Sequence, residues 1–158
     1  MKMLKVVPLI FWLIYTATRV TGWPEHTICK NNQLEIKYRS CDPLQDFAFS
    51  FDSCSSVVAQ TVNIRIATIL RYSITELTVD VSLTINGRRV PIYSKKLCER
   101  DHPRLSFCGK KRGEHIYYEG PISAGFSDLP QGNFNLTVQL LNEDRHTIIC
   151  ADFTVKNQ

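Results

Sequence analysis

The 158-residue chain carries 19 lysines and arginines against 15 aspartates and glutamates, a formal charge of +4, and six cysteines. That length suits a single domain. Lys2, Lys5 and Arg19 fall in an amino-terminal segment without acidic residues, and once that segment is set aside the remainder is nearly neutral, so a general nucleic-acid or membrane-surface role loses its main support. The positive charge that remains is local: nine basic residues between Arg88 and Arg112 face only Glu99 and Asp101.

Lys2 and Lys5 precede an apolar run from Val6 to Tyr15, and small and polar residues lead to Gly22. This is the pattern of a secretory signal peptide over 1–22, with cleavage expected after Gly22. The run is shorter than the roughly 20 apolar residues that span a bilayer. An uncleaved anchor is the alternative. No later segment is apolar enough to cross a membrane, so a secreted, extracellular product is expected, with 23–158 as its domain. Cys29, Cys41, Cys54, Cys98, Cys108 and Cys150 all lie beyond the leader. An even number in a secreted chain reads as three disulfides, with the pairing open. A zinc site competes with that reading, but there is no C-x-x-C pair and the four histidines are scattered, so no metal is expected.

Leu34 to Tyr38 alternates apolar and charged residues and reads as a half-exposed strand ended by Cys41-Asp42-Pro43. Phe47, Phe49 and Phe51 share one face of a second strand, and Val62, Ile64, Ile66 and Thr68 one face of a third. In the clearest strand Leu77, Val79, Val81, Leu83 and Ile85 alternate with Thr78, Asp80, Ser82 and Thr84. Asn86-Gly87 follows, a dipeptide that supplies the positive φ values of a two-residue hairpin turn. The return strand, Arg89 to Tyr93, contains Pro91, which has no N–H for a central ladder and predicts a sheet edge.

The chain then enters the segment between Cys98 and Cys108, followed at once by Lys110-Lys111-Arg112. A short cysteine-bounded loop with cations at its exit reads as a mouth. Ile116 to Tyr118 form a short strand that Gly120-Pro121 is expected to break. Residues 122–132 read as irregular. Phe134, Leu136, Val138 and Leu140 line a long strand, Asn142 to Arg145 turn the chain, and Ile149, Ala151, Phe153 and Val155 line the last strand. Asn135-Leu136-Thr137 is the only glycosylation sequon after the leader, with Asn135 on the face opposite the apolar residues. Seven or eight short strands without a sustained helical period indicate an all-β, immunoglobulin-like, two-sheet antiparallel sandwich. True immunoglobulin domains bury a tryptophan against an inter-sheet disulfide. After the leader only Trp23 is present, at the extreme amino end, so this sandwich must be filled differently.

Several blocks are more specific than any single motif: Ser40-Cys41-Asp42-Pro43-Leu44-Gln45-Asp46-Phe47, Ser106-Phe107-Cys108-Gly109-Lys110-Lys111-Arg112-Gly113-Glu114, and Ile116-Tyr117-Tyr118 followed by Gly120-Pro121. Pro130-Gln131-Gly132 adds a fourth. With them the chain resembles the secreted lipid-recognition (ML) family, which includes the lipopolysaccharide co-receptor subunit of Toll-like receptor 4 and the Niemann–Pick type C cholesterol carrier. The resemblance covers essentially all of 23–158 and is to the lymphocyte-antigen branch. One departure is Asp152-Phe153-Thr154, which carries no sequon and bears on surface decoration alone.

The resemblance implies a sandwich opened into a lipid-binding cup, and disulfides Cys29–Cys54, Cys41–Cys150 and Cys98–Cys108. It also implies a partner, the radioprotective leucine-rich-repeat Toll-like receptor homologue, which would hold the protein at the cell surface and modulate innate immune and B-cell responses to lipopolysaccharide. The ligand would be a phospholipid or a lipid A-like molecule, with no other cofactor. Burial of apolar surface, at roughly 25 cal/mol per Å2, would provide most of the affinity. The expected lining is Phe47, Phe49, Phe51, Ile64, Ile66, Val79, Val81, Leu83, Phe107, Phe134, Val138, Ile149 and Phe153. Arg88, Arg89, Lys95, Lys96, Lys110, Lys111 and Arg112 would meet headgroup phosphates at the rim.

Alternation alone does not separate such a cup from a closed core, and the cations also suit a solvated surface or an acidic partner. A free lipid or sterol carrier without a receptor, and a filled adhesion module, are the other readings. Catalysis is not expected. Ser106 and Ser123 lack a G-x-S-x-G context, and His26, His102, His115 and His146 fall at strand ends or loops.

Overall fold

The computed structural model describes residues 22–57, 61–101, 105–123 and 130–158. Among them are nine strands, where seven or eight were expected, and one helical turn that the patterns did not announce. They are β1 (His26–Lys30), β2 (Leu34–Ser40), β3 (Ala48–Phe51), α1 (Cys54–Val57), β4 (Thr61–Ile69), β5 (Leu77–Ile85), β6 (Arg88–Cys98), β7 (His115–Ser123), β8 (Gly132–Asn142) and β9 (Thr147–Asn157). The leader, apart from Gly22, and His102 lie outside the described residues.

All pairings are antiparallel. One sheet has six strands in the order β1-β2-β9-β8-β5-β6, the other three in the order β3-β4-β7. Turn chemistry sets the hairpins. Asn86 and Gly87 take φ of 50° and 75° between β5 and β6, the left-handed pair that matches strand twist. Asn31 accepts the N–H groups of Gln33 and Leu34 on its side-chain oxygen, at 2.9 and 2.7 Å, and so turns β1 into β2.

Two strands depart from the sequence reading. β1 has no clean alternation, because a bulge lies between Thr27 and Cys29. β7 is not broken at Gly120-Pro121: Ile64 pairs with Gly120 and Asn63 with Pro121, out to Thr61 with Ser123. β7 is the edge of its sheet, where a missing donor is tolerated. β6 is the edge of the other sheet, as Pro91 predicted. Gly120 has a packing reason as well. A Cβ there would stand 2.9 Å from the Tyr118 hydroxyl, so glycine leaves room for that ring.

Three disulfides join Cys29–Cys54, Cys41–Cys150 and Cys98–Cys108, and no described cysteine is free. The first links β1 of the large sheet to α1 behind β3 of the small one. The second lies within the large sheet, between the ends of β2 and β9. The third ties the end of β6 to the loop that leads into β7. Trp23 is half-buried and donates its indole N–H to the Asp42 carbonyl at 2.7 Å, far from the role of an immunoglobulin tryptophan.

Candidate lipid cavity between the sheets

Strand register decides which side chains share a face. Across the large sheet Ile36, Val155 and Phe134 are aligned, then Tyr38, Phe153, Leu136 and Leu83, then Ala151, Val138 and Val81, then Ile149, Leu140 and Val79. Across the small sheet Phe49, Ile66 and Tyr118 are aligned, as are Phe51, Ile64 and Gly120. The two faces meet through aromatic rings: Phe49 lies 5.7 Å from Tyr38 and 5.6 Å from Phe153. Tyr38 also pins β3, donating to the Phe47 carbonyl and accepting the Phe49 N–H, both at 3.2 Å. Burial pushes the Tyr38 phenol above its ordinary range, and Asp46 adds to this.

Packing between the faces is uneven. Phe47, Phe107, Ile116 and Ile149 are buried in one cluster with Leu70, Ile74, Leu77 and Cys98, and Phe49, Ile66 and Phe153 lean on it. Phe51 and Phe134 lean on a second cluster formed by Cys29, Leu34, Ile36 and Val155. Ile64 is buried. Among the described residues Val79, Val81, Leu83, Leu136 and Val138 pack against neither cluster and are only half-buried.

The edges explain why. The β1 and β3 edges are fastened by Cys29–Cys54, whereas no ladder joins β6 to β7 among the described residues. Along β5 the inner residues run from Leu77, 1% exposed, to Ile85, 49% exposed; along β7 they run from Ile116 at 5% to Ile122 at 40%. The sheets are shut at the Cys98–Cys108 end and part toward the Asn86-Gly87 hairpin and the end of β7.

This corrects the reading of the cysteine loop as a mouth. Cys98 is fully buried and Phe107 lies in the core, so the bridge closes the sandwich. The triplet beside it is tied by its backbone to the segment between β4 and β5: Ile74 donates to the Lys110 carbonyl at 2.9 Å, and the Arg112 N–H donates to Ser73 Oγ at 3.1 Å. The Lys111 N–H donates to the Glu114 carboxylate. Lys110, Lys111 and Arg112 therefore stand at the closed end, away from the opening.

The four cations of β6 are also divided, because successive residues point to opposite faces. Arg88 pairs with Ile85 and Lys95 with Val79 on the inner side, while Arg89 pairs with Thr84 and Lys96 with Thr78 on the outer side. Arg89 reaches Asp152 at 3.6 Å and Lys96 reaches Glu76 at 2.9 Å. Arg88 and Lys95 have no acidic partner among the described residues. Asn135 is exposed on the outer face between Thr84 and Thr154, as the sequon requires.

Sequence reasoning missed Tyr118 and Ile122 as inner-face residues, since β7 was expected to stop at Gly120, and missed Tyr93 and Val90. The register sets Tyr93 opposite Val81 and Val90 opposite Leu83. Their alternation is masked by a bulge between Val81 and Ser82. The described histidines are dispersed: His26 is 3.7 Å from Asp46, and His146 stacks on Tyr72 with centroids 4.3 Å apart.

Comparison with known proteins places this geometry among relatives. The profile of the ML domain matches residues 24–157. Lymphocyte antigen 86 of Gallus gallus is 54% identical over 157 residues, covering 99% of this chain and 98% of that protein. Lymphocyte antigen 86 of Homo sapiens is 43% identical over 134 residues, covering 85% and 83%. The crystal structure of chicken MD-1 complexed with lipid IVa matches with a TM-score of 0.80 at 57% identity, covering 85% of this chain and 98% of that one.

Proposed function

Because this chain belongs to the ML-domain family, we propose that it is a secreted lipid-binding accessory subunit. It holds the acyl chains of a phospholipid or lipid A-like molecule between its sheets. The observation that carries this reading is the apolar inner face of β5 and β8, where Val79, Val81, Leu83, Leu136 and Val138 stay half-buried and, among the described residues, pack against neither buried cluster. Apolar surface in that state gains roughly 25 cal/mol per Å2 when a ligand covers it. The similarity to chicken MD-1, a protein crystallised with lipid IVa, supports the same class of ligand.

Phe49, Ile66, Phe153 and Phe134 flank the bound chains, and Phe47, Phe107 and Ile149 form the packed floor. Arg88 and Lys95, on the inner side of β6 and without an acidic partner among the described residues, meet the headgroup phosphates as charge-assisted donors. Residues 1–22 direct export, and an oxidising compartment suits the three bridges. The domain, 23–158, then joins a leucine-rich-repeat Toll-like receptor homologue at the cell surface and modulates innate immune and B-cell responses.

Native mass spectrometry of the secreted protein, with organic extraction of what it carries, tests the reading. A stoichiometric lipid with two or more acyl chains is expected. A sterol would favour a free carrier. A clean apo mass, unchanged after incubation with phospholipid or lipid A, would sink the proposal and leave a filled adhesion module.

A further inference from the structure

The rim of the open end carries more than lipid holding requires. Val90, Ile92 and Tyr93 of β6, Ile85 at the hairpin and Ile122 at the end of β7 are all two-fifths or more exposed. Arg88 and Arg89 stand among them, and Lys95 and Lys96 follow Tyr93 along the same edge toward Cys98. Arg89 and Lys96 also face Asp152 and Glu76, and no acidic residue occurs from Ile85 to Cys98 itself. β6 is a sheet edge, so backbone N–H and C=O groups along it face outward as well.

We propose that this edge is a docking surface for an anionic lipid bilayer. The aliphatic and aromatic side chains enter the headgroup boundary while the neighbouring cations meet lipid phosphates, a combination that favours an interfacial position. The inference rests on the lipid-holding reading and deepens it by naming the membrane as the place where lipid is taken up or delivered. Register supports a route. Tyr93 is opposite Val81, and Val81 is opposite Val138, so an acyl chain passes from the rim to the inner face along apolar neighbours.

Other occupants fit less well. A second copy adding its own β6 antiparallel would set Arg88 and Arg89 near Lys95 and Lys96, and like charges across a ladder are unfavourable. An acidic protein surface would satisfy the cations but has no need of apolar side chains grouped around the opening.

The test is flotation of the secreted full chain with vesicles of phosphatidylcholine, alone or mixed with phosphatidylserine. Lipid content by extraction and thermal unfolding are measured on every sample. Binding is expected only to the phosphatidylserine vesicles, weakening at high salt and falling about fivefold for each of Arg88→Gln and Lys95→Gln. Ile92→Ser should lose vesicle binding while keeping its extracted lipid. A lipid-loaded wild-type chain that does not float, or one whose flotation is unchanged in these folded variants, overturns the docking surface and leaves the lipid-holding reading standing. Rim variants that abolish a dimer seen by sedimentation but leave flotation unchanged would assign the edge to a second copy, and would also overturn it.

Discussion

Cys41 and Cys150 are joined twice, by their disulfide and by a hydrogen bond from the Cys41 N–H to the Cys150 carbonyl at 3.0 Å. The bond extends the β2–β9 ladder by one step, so the bridge locks register within one sheet. It spans 109 residues, and the chain-entropy model assigns such a loop about 4–5 kcal/mol. The double variant Cys41→Ala/Cys150→Ala should lose stability of that order, read as a lower denaturant midpoint. An unchanged midpoint would show that the ladder alone holds the register.

Val81 and Leu77 occupy the same face of one strand but differ in surroundings. Leu77 is buried in the closed end, so Leu77→Ala should cost about 2–5 kcal/mol in transfer and cavity terms. Val81 is half-buried and packs against neither cluster. Val81→Asp should therefore remain folded, with a melting temperature near that of the wild type, while losing bound lipid by native mass spectrometry. Retained lipid in folded Val81→Asp would remove Val81 from the lining.

The buried Asp42 carboxylate accepts Arg71 Nη2 at 2.7 Å and the Leu44 N–H at 2.9 Å. Asp42→Ala should cost about 2–3 kcal/mol, because it leaves the guanidinium without its acceptor. Arg71→Ala in the Asp42→Ala background should then cost much less than Arg71→Ala alone. Additive losses in this cycle would mean that the pair is not coupled.

Glu143 is a source of acid sensitivity. Partial burial pushes its carboxyl up, but its own N–H and the N–H groups of Thr75 and Glu76, the latter two at 3.1 Å, outweigh that effect and hold it below the value of 4.5. A carboxylate depressed in the folded state contributes stability that is present above its unfolded pKa and lost as pH falls through the folded one. Glu143→Gln should reduce stability at neutral pH and flatten the fall below about pH 4.5. An identical acid profile in variant and wild type would exclude this link.

Much of the architecture was legible in the residues. The alternation of Leu77 to Ile85, the Asn86-Gly87 turn, Pro91 at an edge and the outward Asn135 follow from period-two geometry and turn chemistry, which act over a few neighbours. β1 and the far half of β7 were not legible. A bulge at Thr27–Cys29 hides the first, and the edge position that makes Pro121 harmless is a property of the assembled sheet.

The sequence by itself determined an all-β domain with alternating apolar faces and a local excess of positive charge. Its blocks carried the ML resemblance and, with it, the disulfide pairs. Only the tertiary structure decided where the sandwich opens. The cysteine loop and its basic triplet are conspicuous in the chain, yet they lie at the shut end because Cys98 and Phe107 are drawn into the core. Alternation tells which residues share a face. Whether that face meets a partner depends on how six strands lie over three, and on which pair of edges a bridge holds together.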